Sequence, residues 1–215
     1  MNSYRTKILK LRDRIVRKLV LHRIRQHKEI GGWLSTSEAF ALYSMAQRIR
    51  SGGTIVEIGS WKGKSTFVLA RGLRKGTVFT IDPFDASGEM GSADSYAREK
   101  GEKPLYDQFI ETMTKLQVIH KIKPLVGFSH EFSEMIGVID FLFIDGDHSM
   151  EACSYDFDTY SPKVVEGGYI ALHDYDANRD ELGPTWVVRN RLIGSNLYEH
   201  IGLFDSLWVV RKLGA

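Results

Sequence analysis

Apolar residues recur at helical spacing along the first 50 positions, then gather in short runs separated by glycine-rich polar turns. Ile8, Leu11, Ile15 and Leu19, with Val16, Val20 and Ile24 alongside, predict an amphipathic helix over about residues 4–27, broken by Gly31-Gly32. Ser35-Thr36-Ser37-Glu38 has the form of a helix start, a hydroxyl three residues ahead of a carboxylate. Phe40, Leu42, Tyr43, Ala46 and Ile49 carry that helix to about residue 50. Beyond it, residues 54–58, 77–81, 122–126, 141–144 and 169–172 read as strands. Residues 65–72, 105–119, 150–160 and 185–193 read as helices, while 85–103 reads as an irregular, flexible cover. The chain closes with two runs, 198–203 and 206–211, around Phe204-Asp205, the pattern of a hairpin.

Strands alternating with helices predict an α/β fold: a Rossmann-like, mostly parallel sheet with helices on both faces and a C-terminal antiparallel hairpin. The 215 residues suffice for one such domain, expected over 31–215, preceded by a basic helical arm over 1–30. That arm holds ten Lys and Arg against Asp13 and Glu29, so it carries +8 of a chain whose net charge is +2. The basic, apolar-striped arm suits packing on the domain or on a second copy in a homo-oligomer, or contact with an anionic membrane surface. Nucleic acid ranks last, because no aromatic residues interleave the charges. Cys153 is the only cysteine, which excludes an internal disulfide and, with no membrane-length apolar run or signal peptide, points to the cytoplasm.

The loop after the first predicted strand, Glu57-Ile58-Gly59-Ser60-Trp61-Lys62-Gly63-Lys64-Ser65, lacks the glycine spacing of a P-loop or a dinucleotide turn. Its distinctive feature is Glu57, an acid that would repel a diphosphate and welcome a cation. Asp82, followed by Pro83, ends the second strand, where an acid accepts hydrogen bonds from a ribose diol. This ordered set resembles class I S-adenosylmethionine methyltransferases. Within them it is similar to the small metal-dependent O-methyltransferases of the catechol and caffeoyl-CoA type and to a bacterial branch that includes macrolide-sugar O-methyltransferases and cephalosporin hydroxylase-like proteins. The resemblance covers about residues 31–212 and implies a seven-stranded sheet. It implies that Glu57, Gly59, Ser60, Trp61, Gly63 and Ser65 border the methionine part of the donor, that Asp82 and Pro83 border its ribose, and that Ser129 in Val126-Gly127-Phe128-Ser129 borders its adenine. Leu34-Ser35-Thr36 loosely resembles the segment that covers the donor.

A second constellation lies at the ends of two strands expected to be neighbours, Asp145-Gly146-Asp147-His148 and His173-Asp174-Tyr175-Asp176. Removing a hydroxyl proton near neutrality calls for a cation or a base. The resemblance assigns Asp145, His173 and Asp174 to a divalent metal, magnesium or manganese, with Asp145 also beside the donor. It places His148 where the family has its base, and an imidazole titrates in the useful range. His173 stands where the family usually has an acid, so a metal-free reaction with a histidine base is the alternative. An RNA-acting methyltransferase recruited through the basic arm is another. The expected function is metal-assisted methylation of a hydroxyl on a sugar or small natural product. His120 and His130 are expected to be surface or packing residues, and Cys153 structural.

Overall fold

The computed structural model describes residues 14–87 and 93–214. Helix α1 occupies residues 14–23 of the described chain and leads through a 3-10 turn, Arg25–Glu29, to the Gly31-Gly32 break; the predicted N-terminal part of this helix lies outside the described residues. Helix α2 (Thr36–Ala46) starts with the capping box read from the sequence: the Ser35 hydroxyl accepts from the Glu38 amide, and the Glu38 carboxylate accepts from the Ser35 amide.

Alternation then runs β1 (Gly53–Ile58), α3 (Lys64–Gly72), β2 (Gly76–Asp82), α4 (Ala93–Lys100), α5 (Leu105–Lys115), β3 (Ile122–Val126), α6 (Ser129–Phe132), β4 (Ile139–Ile144), α7 (Met150–Tyr160), β5 (Val164–Leu172), α8 (Gly183–Val187), β6 (Tyr198–Phe204) and β7 (Leu207–Lys212). The seven strands form one sheet in the order β3-β2-β1-β4-β5-β7-β6. β1 to β5 pair in parallel, and β7 joins antiparallel to β5 and β6. This is the predicted sheet with its reversed terminal hairpin.

Side-chain parity along the strands splits the core in two. Ile55, Phe141, Phe143 and Ala171 face the layer of α2, α3 and α5, whereas Val56, Ile58, Leu142, Ile144 and Leu172 face the layer of α7 and α8. β1 and β4 are shielded on both faces, so they read as nearly continuous apolar runs.

Three elements differ from expectation. Within the stretch read as irregular, Ala93–Lys100 is a helix, with no glycine or proline in it and with the good helix formers Ala97, Arg98, Glu99 and Lys100 in its second half. The helix expected to reach residue 119 stops at Lys115, because Gln117 takes a left-handed φ of 58° and turns the chain toward β3. The last helix is short and continues as a π-turn over Val188–Leu192.

Candidate active site

The carboxyl ends of β1 to β5 open onto one cavity of about 790 Å³, the position where parallel sheets bind ligands. One wall is the loop after β1. Gly59 has a φ of 85°, and a Cβ there would lie 2.0 Å from the Asp145 carbonyl oxygen, so only glycine lets the loops after β1 and β4 pass. Asp82 clamps this loop. One carboxylate oxygen accepts from the Ser60 and Trp61 amides at 2.8 Å each, and the other accepts from the Phe84 amide at 2.6 Å. Burial pushes the Asp82 carboxyl upward against these three amides. Gly59, Ser60, Trp61, Ser65, Asp82 and Pro83 all line the cavity, as does Ser129.

Two of the expected donor contacts are placed elsewhere. Glu57 is fully buried and does not line the cavity. It shares parity with Ile55, so its side chain points under α3, where it accepts from the Thr66 and Thr80 hydroxyls. Burial raises its pKa to about 7, against the nearby hydroxyls of Ser65, Thr66 and Thr80. The anion expected at the rim is therefore a buried acid beneath the loop. Gly63 also lies behind the cavity, as the left-handed N-cap of α3, where a Cβ would meet Met113 and Phe109 within 3.0 Å.

The opposite wall comes from Gly127, Phe128 and Ser129 together with α7. The Ser129 hydroxyl donates to Asp156, whose buried carboxyl rises to about 6 although that bond opposes the shift. His130, expected to be a surface or packing residue, lines this wall and stacks on Phe128 at 5.8 Å. Gly31, Gly32 and Trp33 line the cavity, whereas Leu34-Ser35-Thr36 do not and instead lead into α2. Trp33, Trp61 and Tyr96 form a three-ring cluster with centroids 5.1 to 6.2 Å apart. Trp33 and Tyr96 have no periodic signal in the sequence; their only cue is an aromatic beside a glycine pair and one within a polar stretch.

At the floor, Asp145, His148 and Asp174 offer ligand atoms that all lie within 4.8 Å of one another. His148 Nε2 is 3.2 Å from Asp174 and 3.9 Å from Asp145. The group that can hold a cation thus contains His148, not His173. His173 is buried behind it, with Nδ1 3.0 Å from Asp145 and 3.1 Å from Asp174, and Nε2 3.3 Å from Glu38. Burial disfavours the imidazolium, but three surrounding carboxylates overcome it and raise the His173 pKa far above its ordinary value. The His173 ring thus sits between Asp145 and Asp174 on one side and Glu38 on the other, where it braces the carboxylates.

Glu38, which the sequence marked only as a capping residue, completes this brace. Burial opposes its charge, yet His173 and bonds from Ser35 and Ser206 hold its pKa down to about 2. One carboxylate therefore ties the start of α2, the β6–β7 turn and His173 together. Asp174 takes a left-handed φ of 57°, which turns its carboxylate back toward His148.

The same fold occurs in known proteins. TomG from Streptomyces achromogenes, an O-methyltransferase of tomaymycin synthesis solved with SAM, superposes with a TM-score of 0.62 at 18% identity, covering 91% of this chain and 90% of that one. An O-methyltransferase from Bacillus cereus solved with SAH gives 0.61 at 16%, covering 92% and 90%. An uncharacterised protein of Acanthamoeba polyphaga mimivirus is 26% identical over 126 residues, 59% of this chain, which spans about half (53%) of that relative. The methyltransferase domain family model matches residues 56–175, a span running from within β1 to just beyond the end of β5. With sheet order, glycine loop and family match in agreement, the chain belongs to the methyltransferase domain family.

Proposed function

We propose that the protein transfers the methyl group of S-adenosylmethionine to a hydroxyl of a small acceptor, a sugar or natural product, with Asp145, His148 and Asp174 holding a divalent cation. The observation that carries this reading is that the β1 loop and the carboxylate–imidazole floor line one cavity. Structural neighbours solved with SAM or SAH support the donor, and those described as O-methyltransferases support the acceptor group. Every lining residue lies at or beyond Gly31, which supports a catalytic domain over 31–215 with the first 30 residues as an appended arm.

Two carboxylates and one imidazole suit magnesium, manganese or another borderline divalent ion. Such an ion, when bound, lowers the pKa of an alcohol or phenol that reaches it. The chain's own residues do the rest. Asp82 fixes the Ser60–Trp61 turn against the donor, and His173 with Glu38 holds Asp145 and Asp174 in place. The carbon–sulfur bond breaks as the oxygen–carbon bond forms. The sulfonium leaves as the neutral thioether, the hydroxyl proton passes to solvent water, and the main task of the site is in-line alignment.

The 3.2 Å contact between His148 and Asp174 favours a second reading, in which the ring is a general base oriented by the carboxylate. Labelled methyl transfer to a panel of sugar and phenolic alcohols, with and without EDTA, separates the two. Loss in EDTA with recovery on added manganese or magnesium is expected. Full activity in EDTA leaves the histidine base, and absence of S-adenosylmethionine binding by calorimetry removes both.

A further inference from the structure

Helix α1 presents two apolar edges. Val20 and Ile24 are buried against the domain, whereas Ile15, Val16 and Leu19 are 50%, 47% and 58% exposed. At about 100° per residue, the exposed three cover roughly a third of the helix circumference, immediately beside the docked edge. Arg14, Arg17, Lys18, Arg23 and Arg25 are all exposed around them, and no acid occurs between residues 14 and 28. Arg17 lies over the Phe40 ring at 5.2 Å and Arg23 donates to the Tyr43 hydroxyl, so the helix is fixed on α2 with the apolar wedge outward.

We infer that this face of α1 docks the protein on an anionic lipid surface. An apolar wedge flanked by cations, on a helix whose described part is too short and charged to span, is the form that lies in the headgroup plane. Among the described residues, no helix is long and apolar enough to cross a membrane. A second copy is the poorer occupant, because pairing two such faces brings ten cations together with no acid on either helix segment to offset them. Nucleic acid would use the charges and leave Ile15 and Leu19 in water. The inference does not depend on the methyl-transfer chemistry. It does place the surface contact close in sequence to Gly31–Trp33, a segment that lines the cavity.

The test is co-sedimentation of the full chain with vesicles of phosphatidylcholine alone or mixed equally with phosphatidylglycerol. Binding is expected only to the mixed vesicles, weakening as salt rises. The variant Ile15→Asp/Leu19→Asp should lose at least tenfold in partitioning while its circular dichroism and S-adenosylmethionine binding stay unchanged, since both side chains are exposed. Arg14→Glu/Lys18→Glu should lose the preference for the anionic lipid. No binding at low salt, equal binding to neutral vesicles, or binding untouched by the aspartates overturns the inference. So does a dimer of the parent chain that the aspartates dissociate, or RNA binding that competes the vesicles away.

Discussion

Two buried carboxyl groups of this protein have opposite environments. Glu57 sits among apolar side chains under α3 with hydroxyl neighbours but no cation, and its pKa rises to about 7. A folded pKa above the unfolded one means the protonated form stabilises. That contribution is complete below about pH 4.5 and is lost as pH rises through 7, a gap worth roughly 3 kcal/mol. Urea unfolding of Glu57→Gln should therefore show a flatter decline in stability between pH 4.5 and 8 than the parent. Parallel curves would mean that Glu57 is not a buried neutral acid. Glu38 is the reverse case, a carboxylate held ionised at the end of the His173 brace. Glu38→Ala leaves a buried cation with one partner fewer, and a destabilisation of about 3 kcal/mol is expected at pH 7 by the same measurement.

At the level of elements, legibility followed how local the determinant is. The strands were readable because their apolar runs are short, and the capping box at Ser35 and Glu38 because its two residues report on each other. Likewise the acids at the ends of β2, β4 and β5 were readable as residues that come together at the carboxyl ends of the strands, where all three line the cavity. What failed was parity and depth. Glu57 lies one residue before the end of β1, but the pleat sends it under α3, and it is the packing of Glu38 that encloses His173 and leaves His148 on the cavity side. Helix α4 was hidden by its polar composition, and Tyr96 on it meets partners far away in sequence. All three rings of its cluster line the cavity. Trp33→Ala/Tyr96→Ala should then raise the acceptor KM roughly tenfold, the worth of one or two aromatic contacts, with kcat nearly unchanged. A fall in kcat with constant KM would place the rings at the chemistry instead.

For the molecule as a whole, the site is an assembly of loops from five parallel strands, so ligands on different walls should report on one cooperative unit. Among the described residues Asp82 holds the loop after β1 and Asp174 lies beside His148, each tied to separate partners. Because a ligand that binds only the folded state stabilises it by mass action, S-adenosylhomocysteine at about 100 times its Kd adds roughly 2.7 kcal/mol. For a chain of this size that corresponds to a rise in Tm of roughly 5–10 °C. Manganese should give its own rise in the absence of the nucleoside. Asp82→Asn should erode the first increment and spare the second, since it loosens the Ser60–Trp61 turn but not the floor. Asp174→Asn should do the opposite by removing a cation ligand. This crossed pattern follows from two sites on one cavity, whereas a single shared site would lose both increments in either variant. If neither ligand moves the melting curve of the parent chain, the proposed donor and cation are both wrong for this cavity.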